Sequence, residues 1–186
     1  MAKYRLPIAI VGKEHVGKTS ICLRFCKDTF SDDYRSTLGS QIFEKQMMVD
    51  DTIYDLVIWD LGGQDQFNNE CSIYIKQAYV VILAFSVDDL DSFVQLKKWK
   101  EFIHECADND PDVFLVSTKI DLRNGSGTCV TTGQVQSMVD KMGFSGVVET
   151  SAKTGYNISR VFKKTAEICH SRGRNAYSPI SMKEIL

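Results

Sequence analysis

The stretch Ile8-Ala9-Ile10-Val11-Gly12-Lys13-Glu14-His15-Val16-Gly17-Lys18-Thr19 constrains what this chain can fold into more tightly than anything else in it. A short apolar run reads as a buried strand, and a loop bounded by Gly12 and Gly17 leads straight into a helical pattern beginning near Lys18. The spacing is G-x-x-x-x-G-K-T, the phosphate-binding P-loop pattern. Phosphates need close backbone approach, so the two glycines carry no side chain there. The amides of Glu14, His15, Val16 and Gly17, continuing into Lys18, Thr19 and Ser20, should form an anion nest at a helix N-terminus. Lys18, a catalytic candidate, can reach the β- and γ-phosphates, and the Thr19 hydroxyl can ligate Mg²⁺. With glycine at about 7% of ordinary usage, chance makes this pattern in roughly one chain in a hundred or fewer. A strand before it and a helix after it lower that further.

A chain of 186 residues, 44% apolar and 25% charged, is large enough for one domain with a real core. The expected division is a single domain over 1–172 and a flexible polar tail over 173–186. The net charge of -2 gives no reason to expect nucleic acid as a partner. The six cysteines are scattered. Cys22 and Cys26 fall one helical turn apart, but no histidine or further cysteine completes a metal set, so reduced cytosolic thiols are expected. Lys3, Arg5 and Pro7 interrupt any signal peptide, and no apolar run approaches the roughly 20 residues that span a bilayer. A soluble, cytoplasmic monomer is the expectation.

Along the chain, Ile21, Leu23 and Phe25 mark a first helix, and Ser31–Gly39 reads as a surface loop. Gln41–Val49 and Ile53–Trp59 read as two strands of a hairpin turning at Asp50-Asp51. Asn68–Gln77 is plausible helix, and Tyr79–Phe85 suits a central strand buried on both faces. Phe93, Leu96, Trp99 and Ile103 recur at helical spacing, and Val113–Val116 is a further short strand. Thr131 with Gln134 has the form of a capping box for a helix ending near Gly143. Val147–Thr150 is the last strand, and Ile158, Val161, Phe162 and Ala166 mark the last helix. The fold class is α/β: a mainly parallel sheet with one antiparallel strand and helices on both faces. Ligands of such folds sit beyond the carboxyl ends of the strands. Four loops there carry unusual chemistry: Gly12–Thr19, Asp60–Gln64, Thr118–Asp121 and Ser151–Lys153.

Asp60 stands between an apolar strand and a Gly-Gly turn. A helix N-cap is the plainer alternative, but beside a P-loop it is better read as a Mg²⁺ partner through water. The Gly63 amide can meet a γ-phosphate, and Gln64 would orient the attacking water, the second catalytic candidate. Thr37 is the expected second hydroxyl ligand of Mg²⁺, so losing the γ-phosphate would release both flanking loops. Asp121, with Lys119, suits guanine, because its carboxylate accepts from both N1–H and the 2-amino group. Against adenine it would face a ring acceptor, and unpaired groups of this kind discriminate by about 10⁴ or more. Ser151, Ala152 and Lys153 would close the other side, with the Ala152 amide on O6, and Phe30 could pack on the base.

GKEHVGKT, YRSTLG, WDLGGQ, STKID and ETSAK together make the chain resemble a small GTPase of the Ras superfamily, most of all its Rab-type branch, from about Pro7 to His170. The resemblance implies a six-stranded G domain that binds GDP and GTP with Mg²⁺, hydrolyses GTP slowly and acts as a molecular switch. Loops around Thr37 and Gln64 would be read by effectors, exchange factors and activating proteins. Several positions depart from the pattern. Glu14 stands where Ras-type proteins usually have Gly, and its charge would lie beside the γ-phosphate, with Lys13 and Lys18 offsetting part of it. Leu61-Gly62 replaces Thr-Ala, as in Arf-type and septation-initiating GTPases. Thr118 replaces Asn, as in Rho-type proteins, and is expected to lose a contact to the base and P-loop. Ile42 occupies an aromatic position, although Trp59 and Tyr74 fit the Rab triad. The sequence finishes Lys183-Glu184-Ile185-Leu186 without a prenylatable cysteine, and Met1-Ala2-Lys3 lacks a myristoylation glycine. A soluble protein recruited to membranes by a partner, or a trimmed chain, is therefore expected.

Two other functions compete with a GTP-hydrolysing switch. One is a GTP-loaded binding module with negligible turnover because of Glu14. The other is an ATP-dependent phosphotransferase, which Asp121 and Ala152 disfavour.

Overall fold

Seven consecutive apolar or small residues become β4 (Val80–Ser86), buried along its whole length. It lies in the middle of a six-stranded sheet, and a strand so placed can only be a continuous hydrophobic run. The computed structural model describes residues 2–31, 37, 39–63, 69–108, 110–123 and 129–172. The expected tail over 173–186 and position 64 lie outside the described residues.

The sheet order is β2-β3-β1-β4-β5-β6. Its other strands are β1 (Ala2–Val11), β2 (Ser40–Val49), β3 (Thr52–Leu61), β5 (Asp112–Thr118) and β6 (Val147–Glu149). β2 runs antiparallel to β3, and every other pairing is parallel. β1 is longer than its apolar core, because it pairs with β3 from Ala2 opposite Thr52, well before β4 joins at Ile8 opposite Val80. Pro7 is accommodated at that junction: its carbonyl accepts from the Tyr79 N–H, on the side where β4 has not yet begun.

Side-chain alternation along β1 divides the core in two. Ile8 and Ile10 pack on one face with α1 (Lys18–Lys27) and α6 (Ile158–Ser171), where Phe25 and Phe162 stack with centroids 3.9 Å apart. Ala9 and Val11 pack on the other face, against α2 (Asn69–Gln77), α3 (Leu90–Val94), α4 (Leu96–Cys106) and α5 (Thr132–Met142). α3 and α4 replace the one helix expected around Phe93–Ile103, with Gln95 dividing them. α5 begins with the expected reciprocal capping box between Thr131 and Gln134 and stops at Gly143, φ 62°.

Because β1, β3, β4, β5 and β6 are all parallel, their carboxyl ends share one edge, and all the chemistry-bearing loops are there. All six cysteines are free, and no helix among the described residues is long and apolar enough to cross a membrane.

Candidate functional site

The P-loop leaves β1 by pressing onto β4. A Cβ on Gly12, at φ +136°, would stand 2.1 Å from the Ala84 carbonyl oxygen, so only glycine turns here. Gly17, in the left-handed region at φ 91°, opens α1. The loop wraps the Lys18 ammonium, which donates to the carbonyls of Gly12 and Lys13 at 2.8 Å each. Burial pushes Lys18 down to about 8, with the Asp60 carboxylate the main opposing influence.

Asp60 is fully buried. It sits inside β3, paired with Ile10 on one side and Gln41 on the other, so it is not a helix N-cap. Its Oδ2 accepts the Thr19 hydroxyl at 2.5 Å. The Thr37 hydroxyl lies 2.7 Å from that of Thr19. Asp60 Oδ1 is buried without a partner among the described residues. Burial lifts Asp60 to about 6, against the Thr19 hydrogen bond and the charge of Lys18. Two hydroxyls and an under-satisfied carboxylate are hard oxygen donors, and that set fits Mg²⁺.

The Gly62-Gly63 turn is a three-way junction. A Cβ on Gly62 would be 2.7 Å from the Thr37 carbonyl oxygen, and one on Gly63 would be 2.3 Å from the Glu14 nitrogen. This close approach accounts for glycine in place of the usual alanine at 62. Glu14 therefore has its backbone against Gly63, and its carboxylate lies 3.8 Å from His15 Nε2 with the side chain 41% exposed. Lys13 does not offset it as expected. Its ammonium is turned the other way, 2.9 Å from Asp89 and 2.8 Å from Asp91. Asp91 first and Asp89 second hold Lys13 above its ordinary value.

The base end is a cleft of about 330 Å³. Its lining includes His15, Gly17, Ser20, Phe30, Thr118, Lys119, Asp121, Ala152 and Lys153, all candidates from the sequence. Ser151 is buried just behind, donating to Asp121 Oδ1 at 2.5 Å. The Ile120 N–H donates to the Thr150 carbonyl at 3.2 Å, and the Thr150 N–H to the Ser117 carbonyl at 2.7 Å, so the two base loops hold each other. Lys119 turns through the left-handed region at φ 55°. Thr118 corrects an expectation: its hydroxyl donates to the Val16 carbonyl at 2.5 Å, so the tie to the P-loop survives the exchange of asparagine for threonine.

Val16 is thus a backbone anchor rather than a lining residue, and Thr19, Thr37, Asp60 and Gly63 gather at the phosphate end. Gln64 lies outside the described residues. Ile21, Ser31 and Leu122 also line the cleft and were not foreseen. Nor was the loop after β4, whose Asp88-Asp89-Leu90-Asp91 run was the available signal.

Residues 7–171 match the family profile of the Ras family. The chain belongs to the Ras family. Among Ras-family proteins it is similar to the Ras-related protein Rab7A of Mesembryanthemum crystallinum, 33% identical over 166 residues that make up 87% of this chain and 80% of the relative. Membership makes this a small GTPase, a guanine-nucleotide switch of Rab-like character. The Rab-like feature is visible across β2, β3 and α2: Trp59 and Tyr74 rings lie 5.3 Å apart, and Ile42 pairs opposite Trp59 at the third position, 57% exposed.

Proposed function

We propose that this Ras-family chain is a switch built on one G domain over 1–172, which binds GDP and GTP with Mg²⁺ and hydrolyses GTP slowly. The observation that carries the reading is the cluster of Thr19, Thr37 and Asp60 beside the buried Lys18: the Thr19 hydroxyl joins Thr37 to Asp60 Oδ2, and Asp60 Oδ1 has no partner among the described residues. Lys18 neutralises the β- and γ-phosphates while the amides from Glu14 to Ser20 grip them. Thr19 and Thr37 would hold Mg²⁺ directly and Asp60 through water, and the ion would supply positive charge to offset that of the phosphates. Asp121 accepts from guanine, the Ala152 amide donates to O6, Phe30 and Lys119 flank the base, and Ser151 and Lys153 fix the far wall. The Gly63 amide senses the γ-phosphate, and Gln64 orients the attacking water. Effectors, an exchange factor and an activating protein read the loops around Thr37 and Gln64. The resemblance to Rab7A supports work in vesicle traffic or related signalling, with the protein brought to membranes by a partner.

A second reading, a GTP-loaded binding module, is favoured by Glu14, whose backbone sits directly against Gly63. Its side chain then shares the space that Gln64 and an incoming arginine would use. Displacement of about 1 Å there lowers a rate on the order of 10²-fold. Chromatography of nucleotide extracted from purified protein, followed by single-turnover hydrolysis, tests both readings. Glu14→Gly is expected to speed hydrolysis about tenfold or more, with GTP binding intact. Hydrolysis no faster than the parent's, with and without an activating protein, would make Glu14 a bystander. Extracted nucleotide that is not guanine would overturn the proposal.

A further inference from the structure

The turn after β4, continued into the first turn of α3, carries three carboxylates, and each is engaged. Asp89 accepts the Ser92 N–H at 3.1 Å, capping α3, and holds the Lys13 ammonium at 2.9 Å. Asp91 holds the same ammonium at 2.8 Å. Asp88 lies 3.6 Å from the Lys119 ammonium and also takes the Ser86 hydroxyl. Along the backbone, the Val87 N–H donates to the Thr118 carbonyl at 3.1 Å. One short acidic turn therefore holds the phosphate loop through Lys13 and the base loop through Lys119 and Thr118.

We infer that this turn is a brace that fixes the spacing of the two loops and thereby sets how fast guanine nucleotide leaves, with Lys13, Asp89 and Asp91 as positioning residues. The inference rests on the cleft being the nucleotide site proposed above. Lys13 is fixed from both ends: its side chain by the two acids, its carbonyl by Lys18 Nζ at 2.8 Å. Neither Lys13 nor Asp91 lines the cleft, so the brace acts on the loops rather than on the ligand. Lys13 and Asp89 are 24% and 30% exposed, sheltered enough for the pair to exceed an ordinary surface ion pair. Removing Lys13 does more than delete a contact. It leaves Asp89 and Asp91 repelling each other at the start of α3 and frees the loop whose amides grip phosphate.

The full chain, loaded with fluorescent GDP and Mg²⁺ and chased with excess unlabelled GDP, tests this. Lys13→Met is expected to release nucleotide roughly tenfold faster, about 1.4 kcal/mol. Asp91→Asn, which leaves the helix cap in place, should give about threefold, and Lys13→Arg should stay within about twofold of the parent. The gap between Lys13→Met and the parent should narrow at high salt, because the exposed Asp91 arm is screened. Parent-like release from Lys13→Met overturns the brace, as does Lys13→Arg releasing as fast as Lys13→Met. Should Lys13→Met fail to fold, Asp91→Asn at the parent's rate is the overturning result. A parent that takes up no fluorescent GDP overturns the cleft assignment itself, so the two failures look different.

Discussion

At the base end of the cleft, Ser151 donates to Asp121, Thr150 to Ser117 and Ile120 to Thr150, all between protein neighbours. At the phosphate end, Lys18 rests on two carbonyls with its charge disfavoured by burial, and Asp60 keeps one buried oxygen without a partner among the described residues. The base loops are tied to each other by the chain's own bonds, although Ser117 Oγ has no partner among the described residues, whereas the phosphate end concentrates two buried ionisable groups, Lys18 and Asp60. Buried ionic groups that lack full compensation are unfavourable until an opposite charge arrives. In the function proposed above, Asp121 would choose the base from loops already tied together, while Lys18, Asp60 and Gly63 would act on the phosphates once nucleotide binds.

Breaking the base end should have the largest effect. Asp121→Asn is expected to weaken GTP by about 10³-fold or more, because guanine's donors would meet a donor. Xanthine nucleotides, whose C2 carbonyl can accept from the new amide, should gain. A competition titration measures both, and unchanged GTP affinity would place base recognition elsewhere.

The phosphate end is sharpened by pH. Burial raises Asp60 to about 6, and only its ionised form brings negative charge to a neighbouring cation, so protons should compete with Mg²⁺. Apparent Mg²⁺ affinity of the nucleotide-loaded protein is expected to be level at higher pH and to break downward as Asp60 takes up a proton. Asp60→Asn, weaker throughout, should lose the break; a break that persists in the variant would assign it to the nucleotide's own phosphates.

The smallest effect concerns the bond that joins the two ends. Thr118→Val keeps the shape and deletes the hydroxyl donated to Val16, leaving that carbonyl unpaired. Loss of about 1 kcal/mol should speed nucleotide release about fivefold, with Thr118→Ser close to the parent. Equal release from all three would mean that the loops are held by other bonds alone.

Much of this was legible in the chain itself, for reasons that differ by element. β4 could be read because burial on both faces leaves no freedom of composition, and α5 because its cap and its stop are local chemistry between Thr131, Gln134 and Gly143. The first half of β1 could not, since Ala2–Arg5 are held by pairing with Thr52–Asp55, fifty residues away in sequence. The candidate site residues came from motif spacing, which carries side-chain identity but not partners. That is why Thr118 was expected to lose its tie to the P-loop, although a hydroxyl can make the same bond as an amide. Lys13 was misread for the same cause: nothing local links it to acids at 89 and 91.

The Tyr54 hydroxyl meets His170 Nδ1 at 2.9 Å, tying the strand after the Asp50-Asp51 turn to the end of α6. A strand can slide along its neighbour without turning its faces over only in steps of two residues, about 7 Å. Such a step would tear this hydroxyl from the histidine and drag a fully buried ring out of its socket. The far tip of the β2–β3 hairpin is thereby tethered to α6, and any slide of the hairpin along β1 would first have to break this tether.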